Sequence, residues 1–577
     1  MSQKVNAPSD AVFRWLARIL GFGSLITSVA FFQKGTDPVN LPKFFSLGIT
    51  AGAVLGILLF GNKKFYCTEN KKVYFALFVF LLALSNSLIF SGAPRIQMWF
   101  GVFSRNNGFL TYIALAICML AASSLRKRRE IKIVCIFLAS IGLINILFSF
   151  SEVLGYNPLR ADNSFNAIIG NLGNPNFVSA FFGIFASVSF ALMLGKPFKP
   201  HYRFMLATLI LVSLYFVKES QSRQGLMVFA VGALLASLLA LYFVHKKKLF
   251  FYLELGAVTL IILLGFLGAI NIGPLGKFIF KGSINIRIEY WSAALNMFWA
   301  NPATGVGLNS YGDYYRFARD PSALIFPGPN TFTNAAHNVY LDFAATGGFP
   351  LIGAYLAIIL LVGLAALSYV RKCSHYDPVF TGIFVAWIGY SLQAFVSIDQ
   401  IGLAIIGWVS AGLLISYRNY GNSSRTEPQA SNLVKGKIVR NVKSNPDLSL
   451  QSLGIKATAL VGTIVGVLLF LPPIAKDIEW RAKLNEGKVK PLLVTAISWP
   501  LDENRMSNTI SLFRNNSLNK DALQVALIGV KNFPRSFYIH DSIYTNPEAT
   551  AAQRISALKI MKELDPKNPT VQSLVGP

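Results

Sequence analysis

The stretch LRKRREIKIVCIFLASIGLINILFSF (125–150) crowds Arg126, Lys127, Arg128, Arg129 and Lys132 together, then runs without charge to Phe150. An α-helix needs about 20 mostly apolar residues to cross the hydrocarbon core of a bilayer. No water reaches that core, so each backbone N–H and C=O must bond within the segment. The apolar run therefore reads as a spanning helix, and the basic cluster as a loop held on the cytoplasmic side. The pattern recurs and predicts about thirteen spans, at 15–32, 44–60, 73–91, 108–125, 132–150, 178–195, 204–217, 224–244, 249–271, 349–370, 379–397, 401–417 and 457–473. Composition agrees. The 577 residues are 53% hydrophobic and 14% charged, with mean hydropathy +0.50, against about 25% charged residues in soluble chains.

The net charge of +27 does not point to nucleic acid. The cations are divided among loops: Lys63-Lys64, Lys71-Lys72, KPFKPHYR (196–203), HKKK (245–248) and Arg371-Lys372. These loops fall on one side when the N-terminus is placed in the cytoplasm, and the C-terminus then lies outside. The first run opens around Arg14 and Arg18 without a small-residue cleavage pattern and reads as a retained span. Cys67, Cys118, Cys135 and Cys373 lie in apolar runs or cytoplasmic loops, which supports neither a disulfide scaffold nor a cysteine metal site.

The expected organisation is all-α: a polytopic helical bundle over 1–417, a basic cytoplasmic linker over 418–456, a last span at 457–473, and an outer helical domain over 474–577. In the tail, AAQRISALKIMKELDPKNP (551–569) aligns Ala551, Ile555, Leu558 and Met561. It reads either as the second helix of a tetratricopeptide-like unit or as part of a plain helical domain. The outer loop 272–348 is expected to roof the site with two short helices.

Four outer segments hold residues suited to chemistry. In TNAAHNVYLDFAATGGFP (333–350), Asn334 is the expected N-cap of a helix over 335–346, with Gly347 just past its end. His337 would stand in the first turn, where the helix dipole disfavours the imidazolium and leaves a neutral base. It reads equally as a capping or interfacial histidine. In SINIRIEYWSAALNMFWANPATGVGLNSY (283–311), Ile288, Trp291, Leu295, Phe298 and Trp299 recur at helical spacing, with Arg287 in the first turn. Arg287 reads as a ligand for anions or as an interfacial cation. VKESQSRQGLM (217–227) places Arg223 at the outer end of a span, where a cation is costly without a partner. WFGVFSRNNGFL (99–110) carries Arg105, and LGNPNF (172–177) forms a compact turn. Outer loops lack paired or clustered carboxylates, and Glu254 is the one acid inside an expected span. Metal sites and ion-coupled transport both want more acids than that.

SQSRQG, RIEYWSAALNMFWANPATGVGLNSY and AHNVYLDFAATGGFPLIGAYL, in this order and preceded by SRNNGFL, resemble the O-antigen ligase and polymerase superfamily over about residues 95 to 420. The resemblance implies a GT-C-like glycosyltransferase in the bacterial cytoplasmic (inner) membrane. Such an enzyme needs no cofactor or metal, and transfers a glycan with inversion from a polyprenyl (undecaprenyl) diphosphate carrier to an acceptor hydroxyl on a lipid, glycan or protein. By motif, His337 would accept the proton or orient the acceptor, with Asn338 and Tyr340 supporting it. Arg223, Arg287 and, by a looser match, Arg105 would hold the donor diphosphate. Polysaccharide or lipid transport, and a scaffold acting through the outer tail, are the competing classes.

Overall fold

A computed structural model describes residues 10–61, 65–159, 163, 165–196, 199–244, 282–423 and 446–575, with scattered residues between 252 and 273. The expected span 249–271 lies largely outside the described residues. Those residues form helices and no strands. Eleven helices are long and apolar enough to cross a membrane, so the chain is a polytopic helical membrane protein.

The first nine helices are α1 (Asp10–Val29), α2 (Asn40–Gly61), α3 (Lys71–Phe90), the short α4 (Arg95–Phe100), α5 (Phe109–Ser123), α6 (Arg128–Val153), α7 (Pro175–Met193), α8 (Pro200–Glu219) and α9 (Gln224–Val244). The expected span 108–125 appears as α5, whose 15 residues are short for a bilayer. Most of them are buried in the bundle, including Leu115, Cys118 and Ala122, so helical neighbours rather than lipid surround it. The weakly signalled span at 204–217 forms the twenty-residue α8, which is long and apolar enough to cross a membrane.

Among the described residues, the long loop carries three helices rather than two. They are α10 (Gly282–Ala300), α11 (Tyr311–Ala318) and the single turn α12 (Ser322–Ile325). Then follow α13 (Val339–Lys372), α14 (Pro378–Val396), α15 (Ile401–Ser423) and α16 (Pro446–Glu486). Helix α15 is almost wholly buried and forms the bundle's centre. Helix α16 continues through Pro472 and Pro473 into the tail without a break.

Helix α16 is fixed by glycines. Gly48, Gly52 and Gly56 of α2 face Gly462 and Gly466 of α16 so closely that a Cβ on Gly52 would lie 2.1 Å from the Gly462 carbonyl oxygen. Small residues four apart let membrane helices approach backbone to backbone, where dispersion rather than hydrophobic exclusion holds them. The G-x-x-x-G-x-x-x-G spacing is plain in the sequence, although hydropathy alone does not single it out.

The tail is built from helices α17 (Val489–Ala496), α18 (Glu503–Asn515), α19 (Asn519–Asn532), α20 (Phe537–Tyr544), α21 (Ala551–Leu564) and the short α22 (Pro569–Gln572). Its core gathers Trp480, Met506, Ile510, Phe513, Val525 and Ile539. The expected stripe on α21 is displaced. Ala557, Leu558, Met561 and Leu564 are buried, while Ala551 is exposed and Ile555 is 54% exposed. Thr550 and Gln553 form a capping box that begins this helix.

The tail is clasped to the long loop. Both carboxylate oxygens of Asp565 accept from Arg319 Nη2, at 2.7 and 2.8 Å, and Oδ2 accepts another from Arg316 at 3.1 Å. Arg319 and Asp565 are both fully buried. Arg535 of the tail lies 3.8 Å from the Tyr314 ring centroid.

Candidate functional site

The helix after His337 begins at Val339, not at residue 335. Asn338, rather than Asn334, is the N-cap, and its side chain accepts from the backbone N–H groups of Tyr340 at 3.0 Å and Leu341 at 3.1 Å. His337 therefore stands just outside the helix with φ +55°. That left-handed conformation is uncommon in a non-glycine residue and persists only where its surroundings hold it. Asp342 reaches back to accept from the Ala336 N–H at 2.7 Å, and Thr333 Oγ1 donates to the Ala335 carbonyl at 2.8 Å.

The helix does not end at Gly347. It kinks at Gly348 (φ 64°, ψ −165°) and continues as the membrane span. The kink is braced by the Pro302–Gly307 turn: Val306 N–H donates to Ala345 O at 2.9 Å, Gly307 N–H to Thr346 O at 3.2 Å and Phe349 N–H to Pro302 O at 2.8 Å. A Cβ on Gly305 would sit 2.2 Å from the Thr346 carbonyl carbon. The ATGVG and TGGF segments are thus two halves of one backbone junction, and that junction fixes the helix start carrying His337.

The half-buried imidazole of His337 stacks on Tyr290 of α10, with ring centroids 5.6 Å apart and planes at 28°. Burial lowers its pKa to about 4, and the charges of Arg287 and Arg105 add to the shift. The imidazole is neutral at pH 7, as the sequence suggests, but the cause is desolvation and two cations rather than a position inside the first helical turn. Arg287 lies three residues before Tyr290 and so shares its face of α10.

Arg105 comes from the loop between α4 and α5. Asn309 secures that loop, donating to Asn107 O at 2.6 Å and accepting from Val102 N–H at 3.2 Å. Arg105 Nε donates to Asn334 Oδ1 at 3.5 Å. Burial lowers its pKa to about 10 and lowers that of Arg287 as well, so both remain cations at pH 7. Among the described residues, no carboxylate lies within ion-pair distance of either. Asp37 and Asp342 offset the charge of Arg105 only from a distance, and a partly desolvated guanidinium with no carboxylate in contact suits an anionic ligand.

Arg223 is exposed at the head of α9. Around it Ser179 donates to Ser222 O at 2.8 Å, and Ser222 donates to Asn176 Oδ1 at 2.8 Å. The SQSRQG turn is thereby locked to the LGNPNF turn, where Asn174 caps α7. The charges of Arg287 and Arg105 bear on His337, and Arg223 stands in the turn between α8 and α9. Tyr340 donates to Ser391 O at 3.3 Å and packs on Phe395.

Sequence reasoning passes over Tyr290, Asn309, Asp342 and Asp399. A chamber of about 40 Å³ is lined by Arg105, Asn334, Asp342 and Asp399. Burial pushes the pKa of Asp399, between α14 and α15, up to about 7, and its carboxyl accepts from Tyr390 at 3.1 Å. Only the tandem Tyr-Trp of α10 offers a sequence signal, and its register toward the histidine is a tertiary fact. Among the described residues, no three of His, Cys, Asp and Glu cluster closely enough to hold a metal ion.

The O-antigen ligase family model matches residues 206–356, a segment that contains Arg223, Arg287, Tyr290 and His337. No curated protein matches the chain.

Proposed function

With an O-antigen ligase domain over residues 206–356 as the starting point, we propose that the protein transfers a glycan from a polyprenyl diphosphate carrier to an acceptor hydroxyl at the membrane–water boundary. The observation that carries this reading is the neutral His337 beside two cations, Arg287 and Arg105, that have no carboxylate within ion-pair distance among the described residues. The acceptor oxygen attacks the anomeric carbon, forming a C–O bond, while its proton passes to the imidazole. The bond from the anomeric carbon to the diphosphate breaks, and its electron pair leaves with the phosphate oxygen. Displacement from the opposite face inverts the anomeric centre.

Division of labour follows from the chemistry. Diphosphate is already a good leaving group and gains most from guanidinium charge in a partly dry site. An alcohol is a weak acid and needs a positioned base. A free imidazole with pKa about 4 is a feeble base. Binding of a diphosphate neutralises Arg287 and Arg105, which removes part of the cause of that low value and strengthens the base when the donor is present. Arg223, exposed at the head of α9, serves donor entry or the distal phosphate.

The test is transfer by purified protein in detergent with EDTA, an undecaprenyl diphosphate-linked oligosaccharide, and lipid, glycan and peptide acceptors. Wild type transfers to one acceptor class, and folded His337→Ala and Arg287→Ala lose transfer. Undiminished transfer by His337→Ala sinks the proposed base.

A further inference from the structure

A cavity of about 510 Å³ lies between the tail and the long loop. Its tail wall is one face of α18, where Asn504, Ser507 and Asn508 stand three and four residues apart. Among the described residues, nothing bonds the side-chain amides of Asn504 and Asn508. The opposite wall carries Asn309 and Asn334. Exposed rings face in from both sides: Phe332 from the loop, 57% exposed, and Tyr538 from the tail, 40% exposed. Asn309 and Asn334 also line the chamber of Arg105, so the cavity and that chamber share a wall.

The lining of this space does not favour a phosphate. Its arginines are already engaged: Arg316 with Asp565 at 3.1 Å, Arg505 with the Ser498 and Pro500 carbonyls, and Arg535 with the Asp313 carbonyl at 3.3 Å. Its carboxylates, Asp313 and Glu503 among them, have no such cationic partner within ion-pair distance among the described residues. Burial raises the pKa of both carboxyls. The amides of Asn504 and Asn508, carboxyls with acceptor capacity beyond their present bonds such as Gln97 to Asp313, and exposed ring faces match a ligand with a rim of hydroxyls and apolar C–H faces.

We propose that the cleft between α18 and the long loop is a glycan subsite, holding saccharide units that lead into the His337 site. This rests on the glycan-transfer reading above. The saccharide belongs either to the carrier-linked donor or to the acceptor, and the two share this chemistry.

The experiment measures transfer rate in the full chain against donor and acceptor concentration separately, for wild type, Asn508→Trp and Asn508→Ala. Ile555→Trp, at an exposed tail position outside the cleft, is the control. Filling the cleft raises the KM of one glycan substrate at least about tenfold while kcat at saturation holds, and removing one amide raises it less. Which KM moves names the source. Unchanged KM values for both substrates in a folded Asn508→Trp protein overturn the subsite and leave the transfer reading standing. Absence of any transfer by wild type removes the transfer reading, and the subsite with it.

Discussion

His337 and Tyr290 stack face to face, 5.6 Å between centroids, although 47 residues of chain separate them. The tyrosine ring is the floor that keeps the imidazole half-buried in its left-handed turn. Tyr290→Phe keeps that floor and is expected to transfer glycan within a few-fold of wild type. Tyr290→Ala lets the ring move and wet, and should lose about 10–100-fold in kcat, the scale on which misplaced catalytic groups are felt. Steady-state kinetics on the two folded variants decide it. Equal activities would show that the stack is incidental.

The depressed pKa of His337, about 4, predicts pH behaviour of definite sign. The acid limb of kcat/KM reports the free enzyme and should lie near pH 4, well below the ordinary value of about 6.5. The limb of kcat reports the donor complex and should lie higher. Stability follows the same group. The unfolded chain binds the proton near pH 6.5 and the folded chain only near 4, so stability is full above 6.5 and declines as pH falls toward 4. A pH series of transfer rates, with melting curves of wild type and His337→Gln, checks both statements. An acid limb of kcat/KM at 6.5 would contradict them.

Arg319 and Asp565 form a fully buried pair between the long loop and the tail. Removing one member strands the other without solvent, at a cost of about 3–5 kcal/mol. Asp565→Asn should therefore release the tail, seen as new proteolytic cleavage between 532 and 575. Surface charge removal at Lys483, paired with Glu486 at 2.8 Å on the exterior, should change nothing measurable. Identical proteolysis of the Asp565 variant and wild type would argue that helix packing alone holds the tail.

The glycine contact between α2 and α16 makes a packing prediction. Gly52→Leu drives a side chain into the Gly462 carbonyl and should lower thermal stability in detergent by many degrees. Gly353→Leu is the control, because a Cβ there meets nothing within 4 Å. Matching melting temperatures for the two variants would refute a backbone-to-backbone crossing.

The sequence by itself determined the class of this protein and most of its span positions. Apolar length and loop charge are local quantities set by the bilayer's thickness and by the cost of an unbonded backbone in hydrocarbon. It also offered His337, Arg287, Arg105 and Arg223 as candidates, Arg223 by the cost of a cation at a span end and all four by resemblance to the O-antigen ligase and polymerase motifs. Tertiary structure decided the rest. It moved the helix start from Asn334 to Asn338 because the Asn338 carboxamide, not that of Asn334, meets two free N–H groups. It tied the turn that carries Arg223 to α7 through the Ser179–Ser222 bond. It supplied Tyr290 beneath the imidazole and opposed α18 to the long loop around a cavity. Each of these depends on which surfaces meet across long separations in the chain, and hydrophobic period says only which side of a helix is buried, never against what.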